Sequence, residues 1–126
     1  MINQLIDRFN HDPTILTLCE NRITSYNYPK TIDIYKPSLL IRPLDAPLDV
    51  VYGSDHPNRK EFVYQIVAQS QRFKEVRTIQ KAVNQIMNEF GFYQLSGGMD
   101  EQNPDSGNFI DGRIYQGRSP LYKTDY

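Results

Sequence analysis

Residues 61–91 constrain the fold more than any other part of the chain. Phe62, Tyr64, Ile66, Ala68 and Ser70 fall on one side of an extended backbone, with Val63, Gln65, Val67 and Gln69 on the other. One side is apolar and the other mixed, which predicts a central strand with one face against a core. After Ser70 the period changes. Phe73, Val76, Ile79, Val83, Ile86, Met87 and Phe90 recur three and four apart, lining one face of a helix of about five turns. Ser70 offers a hydroxyl as N-cap, and Gly91 offers the left-handed residue that ends the helix. A strand that runs straight into a long helix requires the helix to fold back onto a sheet.

Ile2, Leu5, Ile6 and Phe9 share a helical face. Asp12-Pro13 is an N-cap followed by a first helical residue, opening a helix that turns Ile15, Leu16 and Cys19 inward and ends near Asn21. Residues 23–30 show neither period and are expected as a connector. Ile32, Ile34 and Tyr35 predict a short strand, and Ser38 to Arg42 a clearer one, buried on both faces and bracketed by Pro37 and Pro43. Asp49 to Tyr52 predicts a brief strand and Gly53 to Asn58 a turn. Beyond Gly91, a short strand at 92–95 is expected to end at Ser96-Gly97-Gly98, followed by a mobile loop over 99–108 and a last strand over 109–115. The order predicts an α+β fold: a mainly antiparallel sheet with an N-terminal helix and one long central helix packed on one face.

A chain of 126 residues predicts a single domain, 1–126, burying roughly two thirds of its unfolded surface. Residues 116–126, with Gly117, Pro120 and two tyrosines, are expected as a flexible C-terminal arm. A formal net charge of −1 argues against a free-standing nucleic-acid binder, which needs a basic excess to neutralise phosphates. No run is long and apolar enough to span a bilayer, and the N-terminus lacks the basic start and apolar run of a signal peptide, so a cytosolic protein without a membrane partner is expected. Cys19 is the one cysteine; on an apolar helical face with no neighbouring base, a buried inert thiol is expected.

No stretch assembles an active site. Ser54-Asp55-His56 has the residue types of a hydrolytic triad, but a triad is built from separated segments, and three adjacent residues of one turn cannot form its relay. Neither His11 nor His56 has a second ligand at metal-binding spacing. Ser96-Gly97-Gly98 lacks the Lys-Ser or Lys-Thr of a phosphate loop. Asp100, Glu101 and Asp105 lack calcium-loop spacing. No metal, cofactor or catalytic residue is therefore expected. Lys74, Arg77 and Lys81 form a basic stripe beside the apolar face of the long helix. Such a stripe is either a solvated face or a surface for an acidic partner.

The run Tyr52-Gly53-Ser54-Asp55, the strand Glu61 to Ser70, the helix through Ile79-Gln80-Lys81-Ala82-Val83 and Met87, and the segment Gly91 to Glu101 together resemble the tail-completion, or tail terminator, proteins of long-tailed bacteriophages infecting lactococci, streptococci and relatives. Arg113 to Arg118 and Tyr122 to Tyr126 are similar to that group's closing segment. The resemblance covers about residues 20–126; the insertion Gln102 to Asn108 departs from it. It implies a non-enzymatic virion protein, assembled in the host cytoplasm and located at the virion tail or neck. As a homo-oligomer, a hexameric ring, it would cap the head-proximal end of the tail tube, stop polymerisation and join the tail to the head-tail connector. DNA would pass through the ring without sequence-specific contact. The partner-binding residues expected on this basis are Lys74, Arg77, Lys81, Asp100, Glu101, Arg113, Arg118 and Tyr122, the three basic helix residues meeting an acidic neighbour and the acidic pair a basic one. Another neck or head-completion protein of the same phage, or a small non-enzymatic adaptor, are the alternatives.

Overall fold

The computed structural model describes residues 1–44, 48–51 and 57–118, with the backbone alone for 48–51 and 57–60. The N-terminus forms two helices, α1 (Ile2–Asn10) and α2 (Pro13–Cys19). Asp12 separates them by capping the second, its carboxylate accepting from the Thr14 and Ile15 amides at 3.1 Å each. Pro13 takes the first helical position, where no amide is needed.

Six strands make one sheet: β1 (Ile23–Ser25), β2 (Ser38–Pro43), β3 (Leu48–Val51), β4 (Pro57–Ser70), β5 (Tyr93–Gln102) and β6 (Phe109–Arg118). The order across it is β1-β2-β4-β6-β5, with β3 beside the early part of β4. Among the described residues only β1 and β2 run parallel; the other pairings are antiparallel. The fold is thus the expected α+β, with β4 as its spine.

Helix α3 (Phe73–Glu89) packs with α1 and α2 on one face of this sheet. That face presents Leu39 and Ile41 from β2, Phe62, Tyr64, Ile66 and Ala68 from β4, and Tyr115 from β6. Leu5, Phe9, Ile15 and Cys19 close one half of the core from the N-terminal helices, and Val76, Ile79, Val83, Ile86 and Met87 fill the other from α3. Gly91, at φ +81°, ends α3 as expected.

Several segments differ from expectation, among them Pro57 and Asn58, which open β4 instead of closing a turn because that end of β4 is paired with β3. Residues 23–25 are a strand rather than a connector: too short for a period of their own, they are held by β2, with the Leu39 amide donating to Arg22 O and the Tyr26 amide to Ile41 O. Ile32, Ile34 and Tyr35 form turns, not a strand, because Asp33 bonds its own backbone at the Tyr35 amide and the Lys36 amide returns to Asp33 O. Ser70 is not the N-cap of α3; it is still paired with Phe109, and Arg72 holds the cap position. Its hydroxyl nonetheless accepts from the Arg72 amide and donates to Glu75, steering the chain into the helix.

Residues 96–108 differ as well. Ser96-Gly97-Gly98 is no turn between elements but a bulge inside β5, where pairing with β6 breaks after Leu95 and resumes at Met99. Met99 to Gln102 is therefore strand, and the loop shrinks to 103–108, folded on itself by Asn103, which bonds the Asp105, Ser106 and Gly107 amides. Residues 116–118 likewise belong to β6 rather than to an arm. Tyr52, the Ser54-Asp55-His56 turn, the rest of the arm and Tyr122 lie outside the described residues.

Candidate interaction surface

The residues singled out in sequence do not all remain separate. Arg77 points from α3 to the sheet, where its guanidinium donates to Asp100 of β5 at 2.6 Å and to Asp111 of β6. Asp100 and Asp111 are register partners on adjacent strands, so one arginine bridges two carboxylates that would otherwise repel. Arg113, two residues along the same face of β6, reaches Asp111 at 3.2 Å. Asp111 is 3% exposed at its side chain, whereas Asp100 is 65% exposed. The hydrogen bond that Arg77 donates to Asp100, with the nearby carboxylate charges, holds the Arg77 pKa above its usual value against desolvation. Phe73 lies one turn earlier, its ring 4.7 Å from the guanidinium carbon and edge-on to Phe109.

Gln80, fully buried, supports this cluster from the core side by donating to Ile66 O at 3.0 Å and Asp111 O at 2.7 Å. Tyr115 OH donates to Asn84 Oδ1 at 3.1 Å, and burial raises its pKa. Sequence reasoning missed Asp111 altogether. The available signal was its phase: Phe109, Asp111, Arg113 and Tyr115 share the side of β6 that faces the core and α3.

Lys74, Lys81 and Glu101 are exposed. Arg118 lies at the end of β6, 3.7 Å from Glu61 of β4. The structure therefore joins Arg77, Asp100 and Arg113 through Asp111 and leaves Lys74 and Lys81 on the outer face of α3. Exposed apolar groups add to this surface: Tyr93 on β5, Leu44 just beyond β2, and Tyr26, Ile34 and Tyr35 in the connection from β1 to β2.

Cys19 is buried, and burial pushes its thiol up to about 12, far from nucleophilic use. Among the described residues no three His, Cys, Asp or Glu side chains are grouped to hold a metal. One surface cleft is lined by Glu20, Arg22, Thr24, Asp33 and Lys36, and a second by Asp7, Arg8, His11 and Phe90.

No family model matches the chain, and no curated protein matches it. Among solved structures it is similar to a chain of a "Virion of native gene transfer agent (GTA) particle", with a TM-score of 0.61, 9% sequence identity and 90% of each chain covered. At that identity the likeness is one of fold, and it extends over nearly the whole of both chains.

Proposed function

We infer that this protein is a non-enzymatic virion structural subunit that forms a ring, a hexamer, on the head-proximal end of a phage tail tube, ending polymerisation and joining the tail to the head connector. The observation that carries the reading is the fold shared across 90% of both chains with a component of a gene transfer agent virion. The sequence resemblance to tail-completion proteins supplies the position in the virion. The physical character of the surface agrees. Its candidate residues are charges and exposed aromatics on strands and helix faces, the means of docking protein on protein rather than of turning over a substrate.

The test uses tail tubes polymerised from tube subunits. Added protein should appear by electron microscopy as one ring at one end of each tube and should halt further elongation. Tubes that keep growing with bare ends overturn the assignment. A neck or head-completion role is the second reading, since the virion neighbour is equally compatible with it. Binding to the connector without affinity for the tube would select that role.

A further inference from the structure

One end of the sheet sets exposed apolar groups on a fixed frame. β2 begins there at Ser38, β4 ends at Ser70 and β6 begins at Phe109, since Ser38 pairs with Gln69 and Ser70 with Phe109. The connection from β1 to β2 and the start of α3 adjoin the same end. Asn108, 1% exposed, ties these segments together: its amide nitrogen donates to Ile34 O at 2.7 Å and to Gln69 Oε1 at 3.2 Å, and its oxygen accepts from Gln71. Gln71 also donates to Ser106 O at 2.9 Å. Around Asn108, Ile34, Tyr35 and Phe73 stand 37%, 56% and 46% exposed. Their positions are set in advance. The Tyr35 amide is held by Asp33, and the Phe73 ring contacts both the Phe109 ring and the Arg77 guanidinium. Apolar groups that are already ordered lose little freedom on binding.

The charges beside Phe73 indicate what it meets. Arg72 and Lys74, both exposed, flank it, and among the described residues no carboxylate forms an ion pair with either. Glu75, the acid of the first turn of α3, is engaged by Ser70 Oγ at 2.9 Å. An aromatic ring between two such cations fits a partner that brings an apolar side chain with carboxylates beside it. Duplex DNA also offers negative charge. Asp33 and Asp105, however, are exposed at this end and would repel a continuous run of phosphates, and Ile34 gives nothing to a phosphate backbone. Discrete carboxylates on a protein can face Arg72 and Lys74 and avoid both aspartates.

We propose that this end of the molecule docks on the tail tube subunit, with Phe73 and Tyr35 packed among its apolar side chains and Arg72 and Lys74 facing carboxylates around them. This rests on the capping reading above and names the surface that holds the cap to the tube. Two ordered aromatics with cations at their rim are the kind of anchor on which a protein interface concentrates its binding energy.

The test compares the wild type with Phe73→Ser, Tyr35→Ser and Tyr93→Ser, the last an exposed aromatic at the other end of the sheet, where Tyr93 pairs with Gln116. Binding to tail tubes, to head connectors and to duplex DNA is measured, with the mass of each protein followed by light scattering. Phe73→Ser and Tyr35→Ser should each weaken tube binding by about tenfold or more, while Tyr93→Ser binds tubes as the wild type does. If neither substitution weakens tube binding, or Tyr93→Ser weakens it equally, the surface is overturned and capping stands. A wild type that binds no tube overturns the capping reading and the surface with it. Losses confined to the connector, to DNA or to self-association give this end a different partner and overturn the proposal. Phe73 touches Phe109 and Arg77, so unfolding midpoints accompany the binding data; if Phe73→Ser is unstable, Tyr35→Ser, on an exposed turn, decides the outcome.

Discussion

Asp111 carries a demand that its neighbours along the chain do not. With its side chain 3% exposed, it gains little from water and depends on Arg77 and Arg113 for compensation. Asp111→Asn keeps the shape but leaves two arginines around a neutral amide. Because Arg77 remains about a third exposed, the cost is below that of a fully buried broken pair, about 1–3 kcal/mol. Asp100→Asn, at an exposed position, should cost under about 1 kcal/mol. Urea unfolding midpoints of the two variants check this, and equal shifts would remove Asp111 from its anchoring role. Cys19 and Tyr28 give a second prediction. Burial pushes both groups up to about 12, so the unfolded chain loses these protons at lower pH than the folded one. Their contribution is complete below the unfolded values near 9 and 10 and is lost as pH rises from there toward 12, by at most about 1.4 kcal/mol per pH unit for each group. A stability profile over that window should therefore decline, and Cys19→Ser should flatten its onset, while a flat wild-type profile would contradict the burial of both groups.

Among the elements, β5 takes its shape from its bulge. A Cβ added to Gly98 would lie 2.1 Å from the carbonyl oxygen of Gly112. That neighbour is backbone on β6, so it cannot rotate away, and Gly98→Ala should destabilise by about 1–3 kcal/mol through forced displacement. Amide exchange should show the loss of protection concentrated in β5 and β6; a uniform loss would mean that the bulge is not the point of strain. The same bulge marks where the sequence stops being legible. Glycines both interrupt strands and permit bulges, and only the pairing of Met99 with Gly112 decides between them. By contrast β4 and α3 are legible because period two and period 3.6 each persist over many residues. The three residues of β1 carry no period, and their pairing with Leu39 to Ile41 is set from outside. In the candidate surface, helical spacing picked out the stripe Lys74, Arg77, Lys81, and composition picked out Asp100. That Arg77 and Asp100 meet depends on the register that sets Asp111 beside Asp100, a tertiary fact absent from either local segment.

For the whole molecule, the basic stripe divides into parts with different duties. Arg77 is committed to its own sheet, so reversing its charge would place a third carboxylate beside Asp100 and Asp111 and loosen α3 from β5 and β6. Any loss of assembly in Arg77→Glu would then be indistinguishable from loss of fold. Lys74 and Lys81 are exposed on the outer face of the same helix, where substitutions typically change stability by no more than about 0.5 kcal/mol. The variant Lys74→Glu/Lys81→Glu therefore isolates recognition from folding. If this face meets an acidic neighbour in the tail or neck, the variant should retain the wild-type unfolding midpoint and yet cap tubes poorly. The wild-type protein should itself lose affinity as salt rises, since at about 0.15 M the screening length is near 8 Å. In the variant both the affinity and its salt dependence should fall together, because the attraction that salt screens has been removed. Co-sedimentation with tail tubes across a salt series measures both quantities at once. Unchanged binding with an unchanged salt slope would assign Lys74 and Lys81 to a solvated face.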